Sequence, residues 1–306
     1  MRAQTSPFRT TRIRVVRSDG EELVMGDGMP WVIPQGGLDG FAKLNLSVST
    51  SQNVLTDGSS LVSKRVDETD REVKATYIGP DRPGARARAV AFFNPRFSFA
   101  MHATVGNRTR WCEGELSGFD CPARSPRLPV ALTFTLTCLD PFWRSEDHND
   151  FDFGDSRPYL GWPYVSHVRM VGPKGERHPV GNPVSVLIYD GKNTLVNTGD
   201  VEAPYAIQVR ASGELVNPTI TKDGKFIKVL VKMVSGDVLL IDYESRRLPQ
   251  VTLNGRNVIQ QCSRNSSFTG MMIQPGSNVF TFTIDNTSNR LLADVRVLYY
   301  KRYLGV

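Results

Sequence analysis

Residues 132–145 read LTFTLTCLDPFWRS. Leu132, Phe134, Leu136 and Cys138 alternate with Thr133, Thr135 and Thr137, the period-two pattern of a strand with one buried face. Asp140-Pro141 then ends the run, because proline has no N–H to give a ladder and restricts the residue before it. Two large aromatics, Phe142 and Trp143, follow where small polar turn residues are the rule. The stretch therefore reads as the last strand of one domain followed by a joint, with Phe142 and Trp143 packing back to anchor the exit.

Working outward, nearly every periodic segment reads as strand. ARARAVAFFN (85–94), PYAIQVRA (204–211), KFIKVLVKMV (225–234), DVLLIDY (237–243), VFTFTID (279–285) and ADVRVLYY (293–300) all carry β-type patterning. Asp223-Gly224 and Asn254-Gly255 are hairpin dipeptides that tolerate positive φ, and Gly236-Asp237 does similar work. Only LDGFAKLNLSV (38–48) and DETDREVKAT (67–76) suggest short helices, the second polar enough to lie on the surface. Many short strands with regular turn signals predict an all-β chain of sandwiches or barrels.

At 306 residues the chain is longer than one hydrophobic core usually serves, so two domains are expected. The boundary falls at about residue 144. Residues 1–144 form the first domain and 145–306 the second, an antiparallel β-sandwich. Within the second, 145–164 is acidic and then rich in Pro, Gly and aromatics, the look of an irregular linker. The composition, 40% hydrophobic and 22% charged, is that of an ordinary globular protein. No apolar run is long enough to span a bilayer and the first twenty residues lack an apolar signal core, so synthesis in a cytoplasm without membrane insertion is expected.

Four cysteines, Cys112, Cys121, Cys138 and Cys262, show no C-x-x-C spacing. Cys138 sits on the apolar face of its strand and reads as a core residue. Cys112 and Cys121 are spaced to pair across a loop, although free thiols suit a reducing compartment better. The net charge of +6 is mild. Arginine outnumbers lysine 16 to 3 in residues 1–145, a skew that suits extensive interfaces.

The chain carries no G-x-S-x-G elbow, Walker loop, H-E-x-x-H or Rossmann glycine triplet. Its four histidines are scattered. No catalytic residue, metal ligand or cofactor is therefore nominated. The acidic cluster Glu146, Asp147, Asp150, Asp152 and Asp155 departs from EF-hand spacing at Gly154 and reads as a solvated linker. Trp31, Trp111, Trp143 and Trp162 read as core or interface rather than sugar platforms. Arg86 and Arg88, read on a strand, would project from one face and form a subunit-facing surface or a track for phosphates.

Taken in order, these features make the chain resemble the distal tail proteins of long-tailed phages, the baseplate-hub family of siphophages. The resemblance rests on Asp140-Pro141-Phe142-Trp143 at the joint, Gly199-Asp200 with Pro204 ahead of a strand, and Asn217-Pro218. It continues through Gly236-Asp237 and Pro275-Gly276-Ser277-Asn278 before the penultimate strand, and covers about residues 140–285. These residues are turn formers that place strands in register. The resemblance implies an N-terminal β-rich, ring-forming (belt) domain and a C-terminal galectin-like sandwich. It implies a non-enzymatic virion protein at the phage tail tip. As implied partners it brings copies of itself in a homohexameric ring, the tail tube protein, the tail-tip hub protein and a receptor-binding protein. DNA would pass the channel without sequence-specific binding, and Arg86 and Arg88 would face that channel or a neighbouring subunit. An alternative of a different class is a carbohydrate-binding adhesion module using the sandwich against the host surface. Against shorter members of the family, TDGSSLVSKRVDETDRE (56–72) and TRWCEGELSGFDCPARSPR (109–127) look like insertions or arm-like extensions.

Overall fold

A computed structural model describes residues 11–52, 57–122, 128–153, 192–244, 248–286 and 293–306. In chain order the first elements are β1 (Thr11–Arg17), β2 (Glu22–Gly26), β3 (Trp31–Val32), β4 (Leu38–Asp39), β5 (Leu46–Gln52), β6 (Ser59–Val66) and β7 (Thr69–Tyr77). Helix α1 (Arg82–Phe92) precedes β8 (Ser98–Val105), β9 (Arg108–Asp120), β10 (Val130–Cys138), β11 (Trp143–Ser145) and β12 (Asn149–Phe153). Next come β13 (Lys192–Asn197), β14 (Ala206–Ala211), β15 (Leu215–Val216), β16 (Thr219–Lys222), β17 (Lys225–Lys228) and β18 (Lys232–Met233). The series closes with β19 (Val238–Asp242), β20 (Gln250–Leu253), β21 (Arg256–Asn257), β22 (Gly276–Thr283), β23 (Ala293–Tyr299) and β24 (Arg302–Tyr303).

The chain divides into two compact units. The first comprises 1–147 together with 199–201 and 301–306, and the second comprises 148–198 and 202–300. The first unit is thus discontinuous: two later pieces of chain, one of three residues and one of six, return to it.

In the first unit an antiparallel sheet runs β2-β1-β8-β9-β10-β7-β3, with β4 added on β7, β11 on β9 and β24 on β11. The opening stretch is β10, flanked on both sides, and Leu132, Phe134, Leu136 and Cys138 are all buried. Its register sets Leu132 against Ala75, Phe134 against Val73, Leu136 against Arg71 and Cys138 against Thr69. Helix α1 closes the core from Ala85, Ala89 and Phe92. The Phe93 ring, just past the helix, stacks on Phe134 at 4.4 Å.

Several readings of this unit are corrected. Residues 85–94 are not a strand. Asp81 caps α1 through the Gly84 N–H at 2.9 Å and Pro83 sits in the first turn, while the alanines favour helix wherever the chain enters one. DETDREVKAT is not a surface helix but most of β7, whose inward face holds Thr69, Arg71, Val73, Ala75 and Tyr77. The buried arginine is what concealed that alternation. LDGFAKLNLSV contains β4 and the start of β5 and no helix. The segment 109–127 is no insertion over its first twelve residues: it is β9, bonded to both β8 and β10. Its inward positions are small, Cys112 and Gly114, so the pattern looked polar. Residues 123–127 lie outside the described residues.

Strands β5 and β6 form a separate two-stranded ribbon with a bulge between Ser49 and Thr50. Leu46, Val48, Leu61 and Val62 on it are 54–65% exposed. Asn45 Nδ2 ties its base to the Glu68 carbonyl at 2.8 Å, and the Ser47 hydroxyl bonds the Asp67 carboxylate.

The second unit is a β-sandwich. A six-stranded sheet runs β12-β23-β14-β19-β20-β21, and a four-stranded sheet runs β13-β22-β16-β17. Ile207, Val209, Ile241, Val295 and Val297 from the first sheet share one core with Ile220, Ile227, Phe280 and Phe282 from the second. Within the segment expected to be irregular, 149–153 is strand β12, paired with β23 from Asn149↔Tyr299 to Phe153↔Val295. Phe151 packs on the core there, an apolar contribution that the flanking acids disguised. Residues 154–164, with Gly154, Asp155 and Trp162, lie outside the described residues.

Candidate functional site

The joint after β10 gathers buried polar and aromatic side chains of the first unit. Asp140 is 8% exposed, and its Oδ2 accepts from Arg302 Nη2 at 2.5 Å and from Arg144 Nη2 at 3.4 Å. Asp140 Oδ1 also accepts the Phe142 N–H at 3.3 Å. Pro141 turns the chain so that its carbonyl accepts from Arg71 Nη2 at 2.8 Å. Trp143 is fully buried; its Nε1 donates to the Phe41 carbonyl at 2.9 Å and its ring lies 5.3 Å from that of Phe41. The Arg71 guanidinium stands 4.0 Å above the Trp143 ring, a cation–π contact in a desolvated setting. Phe142 is half-buried, with Arg302 5.6 Å from its ring. Trp143 is thus part of the core, while the Phe142 ring lies beside Arg302.

The two returning pieces of chain meet at this joint. Strand β11 pairs Trp143 with Tyr303 and Arg144 with Arg302, and on its other edge Arg144 with Trp111. Trp111 Nε1 donates to the Ser145 carbonyl at 2.7 Å. Asp200 N–H donates to the Arg302 carbonyl at 2.8 Å, and Asp200 Oδ2 accepts from the Leu304 N–H at 3.1 Å. Val201 forms an isolated bridge with Arg302. Gly199-Asp200 and Asp140-Pro141 are therefore brought together through Arg302. Sequence reasoning missed Arg302, Arg71 and Phe41, none of which lies in a motif, and nothing local to Arg302, between Lys301 and Tyr303, signals its role.

The remaining turn residues lie in the second unit and serve its register. Asn217 takes φ 50 and donates from Nδ2 to Asp285 Oδ2 at 2.7 Å, while the Pro218 carbonyl accepts the Val229 N–H. Gly236 takes φ 94, and Asp237 accepts from Val234 N–H at 2.8 Å and from Asn254 Nδ2 at 2.7 Å. Those bonds hold the Asp237 carboxyl below the usual range, and Asn217 with Lys228 does the same for Asp285. After Pro275, Gly276 takes φ 89. Asn278 is fully buried and holds that turn from inside: it accepts from the Gln274 N–H and donates to the Gln274 and Gly276 carbonyls at 2.7 and 3.0 Å.

Arg86 and Arg88 do not share a face. On α1 residues two apart diverge, and Arg86 Nε bonds the Cys121 carbonyl at 3.1 Å while Arg88 is exposed and 3.6 Å from Asp81. Cys112 does not lie against Cys121; its neighbour is Cys138, at 3.7 Å. Among the described residues no cluster of His, Cys, Asp and Glu could hold a metal ion, and no helix is long and apolar enough to cross a membrane.

Residues 198–303, which run from the returning Gly199-Asp200 segment to β24, match the family of siphovirus-type tail components over its C-terminal domain. The fold is similar to that of the Dit protein of phage SPP1, a paradigm of the hub adsorption apparatus of phages infecting Gram-positive bacteria. The likeness has a TM-score of 0.62 at 11% identity and covers 95% of this chain and 98% of that one. The phage P2 baseplate in its activated conformation is also similar. With calcium the TM-score is 0.49 at 10% identity, covering 97% of this chain and 99% of that chain. With strontium it is 0.49 at 9% identity, covering 94% and 97%. No curated protein matches the chain.

Proposed function

We propose that the chain is a non-enzymatic structural protein of the virion, the subunit of a homohexameric ring at the distal end of a siphophage tail. The ring joins the tail tube protein to the tail-tip hub protein, surrounds the channel through which DNA passes, and offers the sandwich as a platform for a receptor-binding protein. The observation that carries this reading is the tail-component match over 198–303, on a chain whose fold resembles that of the SPP1 hub protein over 95% of its length.

The β5–β6 ribbon supports the ring. A lone two-stranded ribbon is marginal in water, and this one displays Leu46, Val48, Leu61 and Val62 outward. Packing that apolar stripe on a neighbouring subunit removes it from solvent. Head-to-tail closure then needs two different patches per subunit, which a ribbon and its receiving surface provide.

Light scattering and negative-stain imaging of the purified protein test this. Six-membered rings, alone or on addition of tail tube protein, are expected. A strict monomer at high concentration, with no ring on adding that protein, overturns the reading. Glycan-array binding by a monomer would instead favour the carbohydrate-binding module.

A further inference from the structure

Arg71 poses a charge problem that the tail reading does not absorb. It lies on the inward face of β7, 1% exposed, and desolvating a guanidinium is costly unless a counter-charge accompanies it. Nη2 is satisfied by Pro141 and the flat face by Trp143. Among the described residues no carboxylate lies within ion-pairing distance of Arg71, and its Nε and Nη1 make no hydrogen bond. The groups its charge acts on are the sulfurs of Cys138 and Cys112, favouring the thiolate at each.

Those two sulfurs touch. They are 3.7 Å apart, both buried, one on β10 and the other on β9. The register that pairs Leu136 with Leu116 and Thr137 with Glu115 continues to place Cys138 across from Gly114, so Cys112 is its diagonal neighbour. A Cβ on Gly114 would come 3.2 Å from Cys138 Sγ and 3.0 Å from Leu136 Cβ. The glycine therefore leaves the space that the Cys138 sulfur fills beside Cys112.

We propose that Cys138 and Cys112, whose touching sulfurs share the buried face of the sheet with Arg71, are a latent cross-strand disulfide closed by a small peroxide. The charged and titratable groups around Cys138 are Cys112 from β9, Arg71 from β7 and Asp140 from the joint, the last opposing ionisation. The Cys112 thiol first and Arg71 after it hold the Cys138 thiol down to about 7 against burial and Asp140, while burial pushes Cys112 up. One sulfur is thereby a nucleophile and the other a protonated resolving thiol.

In the first step Cys138 Sγ attacks a peroxide oxygen. The O–O bond breaks, a sulfenic acid forms, and the departing hydroxide takes a proton from solvent to become water. Cys112 then gives up its proton as its sulfur attacks Cys138 Sγ. The S–O bond breaks, the S–S bond forms, and the released hydroxide combines with that proton as a second water. The two sulfurs lose two electrons and the peroxide gains them. The chemistry is independent of the proposed tail function.

The test uses the full chain with Cys121→Ser and Cys262→Ser, so that only these two thiols remain. Treatment with hydrogen peroxide, alkylation in denaturant and peptide mass mapping are expected to show both thiols lost together as one cross-linked pair. Thiols that survive a dose oxidising exposed thiols, or a Cys138 sulfinate beside free Cys112, would overturn the proposal. Arg71→Leu is expected to slow closure at least about tenfold, with Arg71→Lys restoring most of the rate. An unchanged rate in Arg71→Leu removes Arg71 from the mechanism. Should Arg71→Leu not fold, thiolate absorbance of the two-thiol protein decides: a step near neutrality supports Cys138 as the attacking thiolate, and a step only in the ordinary thiol range overturns it.

Discussion

Arg302 reaches back across 162 positions of sequence to set its Nη2 2.5 Å from Asp140 Oδ2, with both side chains 8% exposed. The contact fastens the last residues of the chain to the end of β10, where the first long run of chain leaves its unit. An ion pair so buried contributes little net stability when intact but is costly to break on one side. Asp140→Asn or Arg302→Leu is therefore expected to destabilise the first unit by about 3–5 kcal/mol. Replacing both by apolar residues of similar volume should recover most of that loss. Urea denaturation of the single and double variants measures the difference.

Trp143 combines a fully buried ring, a donated bond to Phe41 and the face that receives Arg71. Trp143→Ala is expected to cost about 3–5 kcal/mol, as large aromatic truncations in a core do. Trp143→Phe keeps an aromatic face for Arg71 and loses the Nε1 bond, so its cost should be nearer 1–2 kcal/mol. A Trp143→Ala protein with unchanged denaturation midpoint would remove the anchor role.

The ring reading makes a prediction of a different kind. Leu61→Asp and Val62→Asp alter side chains that are already exposed, so monomer stability should shift by no more than about 0.5 kcal/mol. Assembly should nonetheless fail. Light scattering and imaging alongside a thermal melt separate the two effects, and rings formed as readily as by the unaltered chain would rule the ribbon out as the contact.

Much of this architecture was legible where side-chain type follows burial. The alternation of β10 and the turn chemistry at Asn217, Asp223 and Asn254, all now at positive φ, follow from local rules. The errors fall where tertiary context overrides them. Arg71 sits where an apolar residue belongs, so β7 looked like surface. Cys112 and Gly114 occupy the inward face of β9, so a central strand looked like a loop. In α1 the Ala/Arg alternation imitated a strand, although Asp81 and Pro83 carry the helix start in plain view. At the joint, Asp140 and Trp143 were readable and their partners were not, because Arg302, Arg71 and Phe41 are joined to them only by the return of distant chain.

Asn278 offers a test confined to the second unit. Its amide satisfies both the N–H and the carbonyl of Gln274 from a fully buried position. Asn278→Ala leaves those groups without their partner and is expected to cost about 1–3 kcal/mol. Asn278→Asp accepts the N–H but cannot donate to the two carbonyls, so it should be no less damaging. Hydrogen exchange at Gln274 reports the loss directly.

The last prediction concerns pH and follows from Cys138. Its thiol is held at about 7 in the folded protein against 9.0 for an unperturbed one, so the folded state releases this proton at lower pH than the unfolded state does. Stability from this group is therefore fully present above 9, declines as pH falls from there, and is lost below about 7. Cys112 acts in the opposite sense, since its raised folded value costs stability once the unfolded thiol ionises, above the same ordinary range. Between about 7 and 9 the Cys138 contribution stands alone of the two. Unfolding free energies of the two-thiol protein and its Cys138→Ser variant should accordingly diverge as pH rises through that window, by of order 1 kcal/mol or more. Parallel curves across it would mean that Cys138 is protonated throughout.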